Sequence, residues 1–159
     1  MILKTPYHNY STHQEALMLA FSKTKGTVLE LGCGYYSTPL LYHLCKGAGR
    51  KFYSFDSHKD WVELFKDYGV EYTRDWNIGW TDAELIFVDG PVAPINRGGM
   101  INRYKDAKVL VAHDTEPENR HKYDYDFSGF KYVYTFNTQW PHTTILSNHV
   151  DVTQWQARK

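Results

Sequence analysis

Four acidic residues and one histidine stand where an α/β chain can do chemistry: Glu30, Asp56, Asp89, His113 and Asp114. Glu30 opens Glu30-Leu31-Gly32-Cys33-Gly34, an acid followed by two glycines at the end of a short apolar run. Glycine allows positive φ and lets a ligand come close to the backbone. A helix starts directly after the turn. Ser37 or Thr38 can cap it, and Pro39 suits its first position, where a missing N–H costs nothing. The free N–H groups and partial positive charge of that helix start add a binding surface. Asp56 lies 22 residues beyond Gly34, at the end of the next apolar run. A carboxylate there can accept both hydroxyls of a ribose, or cap the helix that follows.

Asp89 and Asp114 end two further apolar runs, Leu85 to Val88 and Val109 to Ala112. Two carboxylates brought close repel each other, which raises one pKa unless a cation or a donor intervenes. A divalent metal with oxygen ligands, such as magnesium, is one remedy, held by Asp89 and Asp114. Without it the two acids orient His113, Arg97 or a substrate. His113 is the candidate general base, because an unperturbed pKa near 6.5 suits proton removal at neutral pH. A histidine hydrogen-bonded at a strand end is its ordinary alternative. Arg97 sits in Pro94-Ile95-Asn96-Arg97-Gly98-Gly99, a loop that can bind an anionic group of a substrate, with Glu116 a second substrate candidate. His121 and His142 are weaker candidates.

These residues need strands that end on one edge. The expected strands are Val28 to Leu31, Lys51 to Phe55, Val70 to Thr73, Leu85 to Val88, Val109 to Ala112, Lys131 to Phe136 and Thr143 to Leu146. The continuous apolar runs among them mark strands buried on both faces. Residues 1 to 10, with Pro6, Tyr7 and Tyr10, read as extended. Thr12-His13-Gln14-Glu15 has the capping-box pattern and opens a helix to about Ser22. Tyr10, Ser11 and His13 can fold over a ligand. A second helix covers Thr38 to Cys45, broken by Gly47 and Gly49. Ser57 caps a third, with Trp61, Leu64, Phe65 and Tyr68 on one face and Gly69 as its stop. Arg74 to Asp82 is too short for a full crossover helix. Pro91 to Gly99 reads as a loop, Met100 to Lys105 as a short helix, Glu116 to Ser128 as irregular, Trp140-Pro141 as a turn, and the residues from Asn148 on as a fraying end. Strands alternating with helices imply an α/β fold with a mainly parallel, Rossmann-like sheet of about seven strands and reduced helix content. Ligands of such sheets lie beyond the carboxyl ends of the strands.

A length of 159 residues fits one domain with a core that needs no staples. Lys plus Arg equals Asp plus Glu at 18 each, so nucleic acid or an acidic membrane is not the expected partner. Cys33 and Cys45 show no zinc-type spacing and read as buried free thiols. Residues 1 to 8 hold no secretory apolar region, and no run reaches the length of a membrane span. A soluble, cytoplasmic protein is expected. Aromatics make up 16% of the chain, enough for the core and for a stacking platform.

At Glu30-Leu31-Gly32-Cys33-Gly34 and Asp56 the chain resembles the class I S-adenosylmethionine-dependent methyltransferases, whose first motif and ribose-binding acid these match. The third glycine of that motif is Tyr36 here. The resemblance runs from roughly Thr12 to Ser147. It implies S-adenosylmethionine as cofactor, its methionine part near Glu30, Gly32 and Gly34, with Cys33, Ser37 and Asp89 also among the cofactor-binding residues. It implies the ribose on Asp56 with Ser57 beside it, and the adenine at Asp75 and Trp76, where the indole packs on the ring. Metal-dependent O-methyltransferases of the catechol type hold magnesium with acids at the strand ends matched by Asp89 and Asp114. Their next ligand is commonly an Asn, where this chain has Thr115. The segment from Val88 to Glu116, with Asp89-Gly90-Pro91 and His113-Asp114, is also similar to sugar and polysaccharide O-methyltransferases of plant cell walls.

The reading that follows is an enzyme transferring a methyl group from S-adenosylmethionine to an oxygen of a small hydroxylated or sugar-like acceptor. One rival is a protein that binds S-adenosylmethionine or a nucleotide without transferase activity. Another is an NAD-dependent Rossmann enzyme, against which Ser37 stands where G-x-G-x-x-G needs its third glycine.

Overall fold

The computed structural model describes residues 9–76, 79, 82–90 and 96–155. The expected extended run at Pro6 and Tyr7 and the 91–95 part of the expected loop lie outside them. Seven strands form one sheet: β1 (Thr27–Leu31), β2 (Phe52–Asp56), β3 (Val70–Tyr72), β4 (Ala83–Val88), β5 (Val109–His113), β6 (Tyr132–Phe136) and β7 (Thr143–Ser147). Their order is β3-β2-β1-β4-β5-β7-β6. The first five run parallel to one another, and β7 is antiparallel to both β5 and β6. The order turns back between β1 and β4, and a crevice opens at such a point beyond the carboxyl ends of the strands. A single mixed sheet of this kind, with five α-helices among the described residues, is consistent with the Rossmann-like methyltransferase fold.

Strand side chains alternate between faces, and the apolar runs fill both. Leu29, Leu31, Ile86, Val88, Leu110 and Ala112 pack on one side with Met100 and Ile101 of α4 (Arg97–Arg103). Val28, Leu85, Phe87, Val109 and Val111 pack on the other with Leu17 of α1 (Gln14–Lys23) and Leu41 of α2 (Thr38–Ala48). The alternation puts Glu30 on this second side, under the start of α2. Gly49, at φ 65°, ends α2, and Gly47 stays helical.

Several local expectations give way to tertiary contacts. His13 is the N-cap of α1 and makes no side-chain cap bond; Thr12 spends its hydroxyl on distant partners instead. His58, not Ser57, caps α3 (Lys59–Leu64), and its N–H is taken by Asp56. That helix stops at Leu64, and its expected last residues wind into a 3-10 turn, Lys66–Tyr68, before Gly69. α4 begins at Arg97, inside the expected loop, because the Asn96 side chain accepts from the Gly99 N–H. A short α5 (Pro117–Lys122) lies in the stretch read as irregular. The C-terminal segment does not fray at Asn148: Val152 and Trp155 are buried against the α1 side of the sheet. Among the described residues of 73–82 there is no helix, as the short spacing requires.

Candidate active site

The strand ends at the β1/β4 turning point border a cavity of about 680 Å³. One half of its wall is Cys33, Gly34, Tyr35, Asp56, His58 and Trp61. The other is Tyr10, His13, Tyr36, Asp89, Gly90, Arg97, His113 and Asp114.

In the first half the two glycines have different duties. Gly32 has φ 99°, and a Cβ there would lie 2.3 Å from the Gly90 backbone. Its close approach is therefore to the neighbouring strand end, and it is not on the cavity wall. A Cβ on Gly34 would meet only Ser37 Oγ at 3.5 Å, so Gly34 leaves its open side to the cavity. The turn is held by side chains on its amides. Cys33 N–H donates to Asp56 Oδ2 at 3.0 Å, and Gly34 N–H donates to Thr38 Oγ1 at 2.9 Å. The Thr38 hydroxyl in turn donates to Glu30 Oε2, which also accepts from Ser54 Oγ at 2.5 Å. Glu30 is fully buried beneath the turn and does not reach the cavity. Burial pushes its pKa up to about 7, against the pull of those hydroxyls. Asp56 closes a second loop by accepting from the His58 N–H at 2.7 Å. Burial and the adjacent Asp56 push the Cys33 thiol well up, so it stays protonated.

In the second half, charged groups interlock. Arg97 Nη1 lies 3.0 Å from Asp89 Oδ1 and 2.8 Å from Asp114 Oδ2, and Arg97 Nε donates to the Gly90 carbonyl at 2.7 Å. The guanidinium rests 4.1 Å from the centre of the Tyr123 ring. Burial works against its charge, but Asp89 and Asp114 raise its pKa further. Asp89 is held well below the usual carboxylate range by His113 and Arg97 despite its own desolvation. Thr12 donates its one proton to the Pro141 carbonyl at 2.8 Å, so toward His113 Nε2, 3.0 Å away, it can only accept. That fixes the Nε2–H and leaves Nδ1 facing Asp89 Oδ1 at 3.3 Å and Asp114 Oδ1 at 3.7 Å. Burial disfavours charge on His113, yet the two carboxylates raise its pKa on balance. The His113 carbonyl accepts from the Tyr125 hydroxyl at 2.7 Å. His13 meets His113 edge to face, ring centres 4.7 Å apart, and is only 2% exposed. Burial and then the charge of His113 lower its pKa to about 3, so its ring is neutral.

Of the residues singled out from the sequence, Cys33, Gly34, Asp56, Asp89, Arg97, His113 and Asp114 meet on this wall. Seven others do not line it. Glu30 and Gly32 support the turn from behind. Ser37 is buried at the start of α2, and Ser57 is half-buried beside the cavity. Asp75 is exposed, and Trp76 is 1% exposed within the core, where no ligand ring can reach it. Glu116 is buried, accepting from the His142 N–H at 3.0 Å and from the Asn119 side chain. The magnesium site expected at Asp89 and Asp114 does not fit these residues. Arg97 bridges the pair, and Thr115 pairs with Thr144 Oγ1 at 2.7 Å. Trp61 and His58 were not expected on the wall; a helical stripe of aromatics gave no sign of which one faces a ligand.

No protein-family model matches the chain, and none of the curated proteins matches it. Among solved structures that match is the human methyltransferase 10 domain containing protein, at 13% identity and a TM-score of 0.49, covering 94% of this chain and 85% of that one. A likeness at that level bears on neither reaction nor ligand. Among the described residues no helix is long and apolar enough to cross a membrane.

Proposed function

We propose that the protein is an S-adenosylmethionine-dependent methyltransferase acting on an oxygen of a small hydroxylated or sugar-like acceptor. The observation that carries this reading is the state of the turn amides. A dinucleotide needs the N–H groups of the glycine turn for its pyrophosphate. Here Cys33 and Gly34 have already given theirs to Asp56 and Thr38. A carboxylate stands where a phosphate would go, which suits a nucleoside with a cationic or neutral tail and disfavours NAD.

In this reading Asp56 keeps lone pairs for the ribose hydroxyls while it braces both loops. Trp61 and His58, in place of Trp76, offer the adenine its flat surface. Gly34 gives room for close approach of the methionine part. When bound, S-adenosylmethionine supplies an electrophilic methyl group on a positively charged sulfur. The chain's task is to align the acceptor oxygen with that methyl and to take away the hydroxyl proton. Transfer would form the O–CH3 bond, break the S–CH3 bond and release a neutral thioether. His113 Nδ1 takes the proton, since Nε2 is committed to Thr12. Asp89 and Asp114 stabilise the imidazolium, and Arg97 keeps both acids ionised and in place.

Calorimetric titration with S-adenosylmethionine and with NAD tests the cofactor. S-adenosylmethionine is expected to bind and NAD not to, and Asp56→Asn is expected to weaken binding by about tenfold or more, as loss of charge-assisted hydrogen bonds requires. Unchanged affinity in Asp56→Asn, or tighter binding of NAD, overturns the assignment. Release of S-adenosylhomocysteine in the presence of sugars and catechols then reads the transfer itself.

A further inference from the structure

We propose that His13, Asp89 and His113 form a binding site for a divalent cation that prefers nitrogen donors, of the zinc and cobalt class. The ligand atoms of these three side chains all lie within 4.8 Å of one another. The closest pair, His113 Nδ1 and Asp89 Oδ1, is 3.3 Å apart. Metal bonds of about 2.0–2.1 Å place tetrahedral donors roughly that far apart.

Three further observations point to a ligand here. First, His13 is 2% exposed, lines the cavity, and among the described residues neither of its ring nitrogens has a well-formed hydrogen bond, the nearby Tyr36 backbone offering only a weak one. A buried imidazole so poorly partnered carries a desolvation cost that a bound cation removes. Second, His113 already has the outer partner that metal-bound histidines have. Thr12, itself oriented by the Pro141 carbonyl, takes the Nε2–H, so Nδ1 is the atom that faces Asp89, holding a proton there until a cation displaces it. Third, Asp89 and Asp114 share a single guanidinium. Once a cation displaces the His113 proton, Arg97 alone is left to two carboxylates, and the cluster carries one negative charge for the ion to meet.

The donor set separates this site from a magnesium site. Magnesium takes oxygen ligands and keeps its waters, whereas imidazole suits zinc, cobalt and nickel. Arg97 Nη1 and His113 Nδ1 both meet Asp89 at Oδ1, so the ion would take the place of the His113 proton and share Asp89 with the guanidinium. A proton and a cation compete for one lone pair on Nδ1.

The test uses the full chain after chelator treatment and does not depend on methyl transfer. Titration with Co2+ is expected to give one equivalent bound, with visible absorption of a low-coordinate ion, and Zn2+ is expected to displace it. X-ray absorption of the wild-type cobalt form should show two imidazole donors. His13→Phe, which keeps a ring against Phe87, should weaken Co2+ at least about 100-fold, more than loss of an outer partner does. Asp114→Asn should change it by less than about threefold. Absence of stoichiometric Co2+ binding in the wild type, absence of imidazole donors, or His13→Phe binding as well as wild type overturns the proposal, whatever the state of that variant's fold. Mg2+ binding abolished by Asp114→Asn and untouched by His13→Phe would return the site to the two acids. S-adenosylmethionine affinity is measured in parallel, so failure of the cation site and failure of the cofactor reading remain distinct.

Discussion

On the β1–β2 side of the cleft, Glu30 Oε2 and Asp56 are met by neutral donors: the hydroxyls of Thr38 and Ser54 and the amides of Cys33 and His58. On the β4–β5 side, Asp89 and Asp114 are satisfied by Arg97 and His113. Neutral donors fix the shape of a loop and add no charge. Charged and titratable partners create a place where a proton or a cation can be exchanged. The two halves of one crevice thus divide the labour, one holding a ligand's frame and the other handling its charge.

The largest effect should come from removing the charge that joins the second half. Arg97→Ala leaves two buried carboxylates without their cation and is expected to cost about 3–5 kcal/mol in chemical denaturation. Arg97→Lys should recover less than half, since one ammonium cannot serve Gly90, Asp89 and Asp114 from a fixed fork. A loss below about 1 kcal/mol would mean that these acids behave as exposed ones, and the contrast between the halves would fail.

Glu30 sharpens the contrast through pH. Its folded pKa, about 7, lies above its ordinary value of 4.5. Its stabilising contribution is therefore complete below pH 4.5 and is lost as pH rises through 7. The loss is on the order of 3 kcal/mol. Glu30→Gln should lack it, so the difference between the two stability profiles should grow from pH 4.5 to 7 and then level off. His13 runs the other way, its lowered pKa costing stability as pH falls from 6.5 toward 3, and it cancels in that difference. A flat difference would show that Glu30 is ionised throughout.

The glycines separate structure from binding. Gly32→Ala should destabilise by at least about 2 kcal/mol, because it meets both positive φ and the Gly90 backbone. Gly34→Ala should change stability by only about 0.5 kcal/mol while lowering cofactor affinity. Equal stability losses would remove the distinction. Smaller still, Trp61→Ala should weaken S-adenosylmethionine about tenfold by loss of ring contact, measured by calorimetry. The same loss of affinity in Trp76→Phe, with stability unchanged, would put the adenine back after β3.

The strands were legible because runs such as Leu85 to Val88 and Val109 to Ala112 are apolar throughout and end in residues that cannot stay buried alone. Asp56 and Gly34 were legible because their spacing is local to one strand-turn-helix unit. The sequence also put Asp89, His113 and Asp114 on one edge. What it could not give is which groups answer them. Thr12 and His13 look like a helix cap, and Arg97 looks like a loop residue. Their roles come from contacts across 101 residues, between Thr12 and His113, and 17, between Arg97 and Asp114. Trp76 failed for the same reason: position after β3 does not say which way an indole turns, and the core claimed it.

Thr12 bonds both His113 and the Pro141 carbonyl, 101 and 129 residues further along. A chain emerging from its N-terminus carries Thr12 and His13 with neither partner until most of the sheet exists. Contacts of such long sequence separation are the slow ones to close. The Thr12 corner of the reaction half therefore closes only once distant parts of the chain have met, whereas the amides of the glycine turn find Asp56 and Thr38 nearby in sequence. Competence to handle charge arrives only with the finished fold.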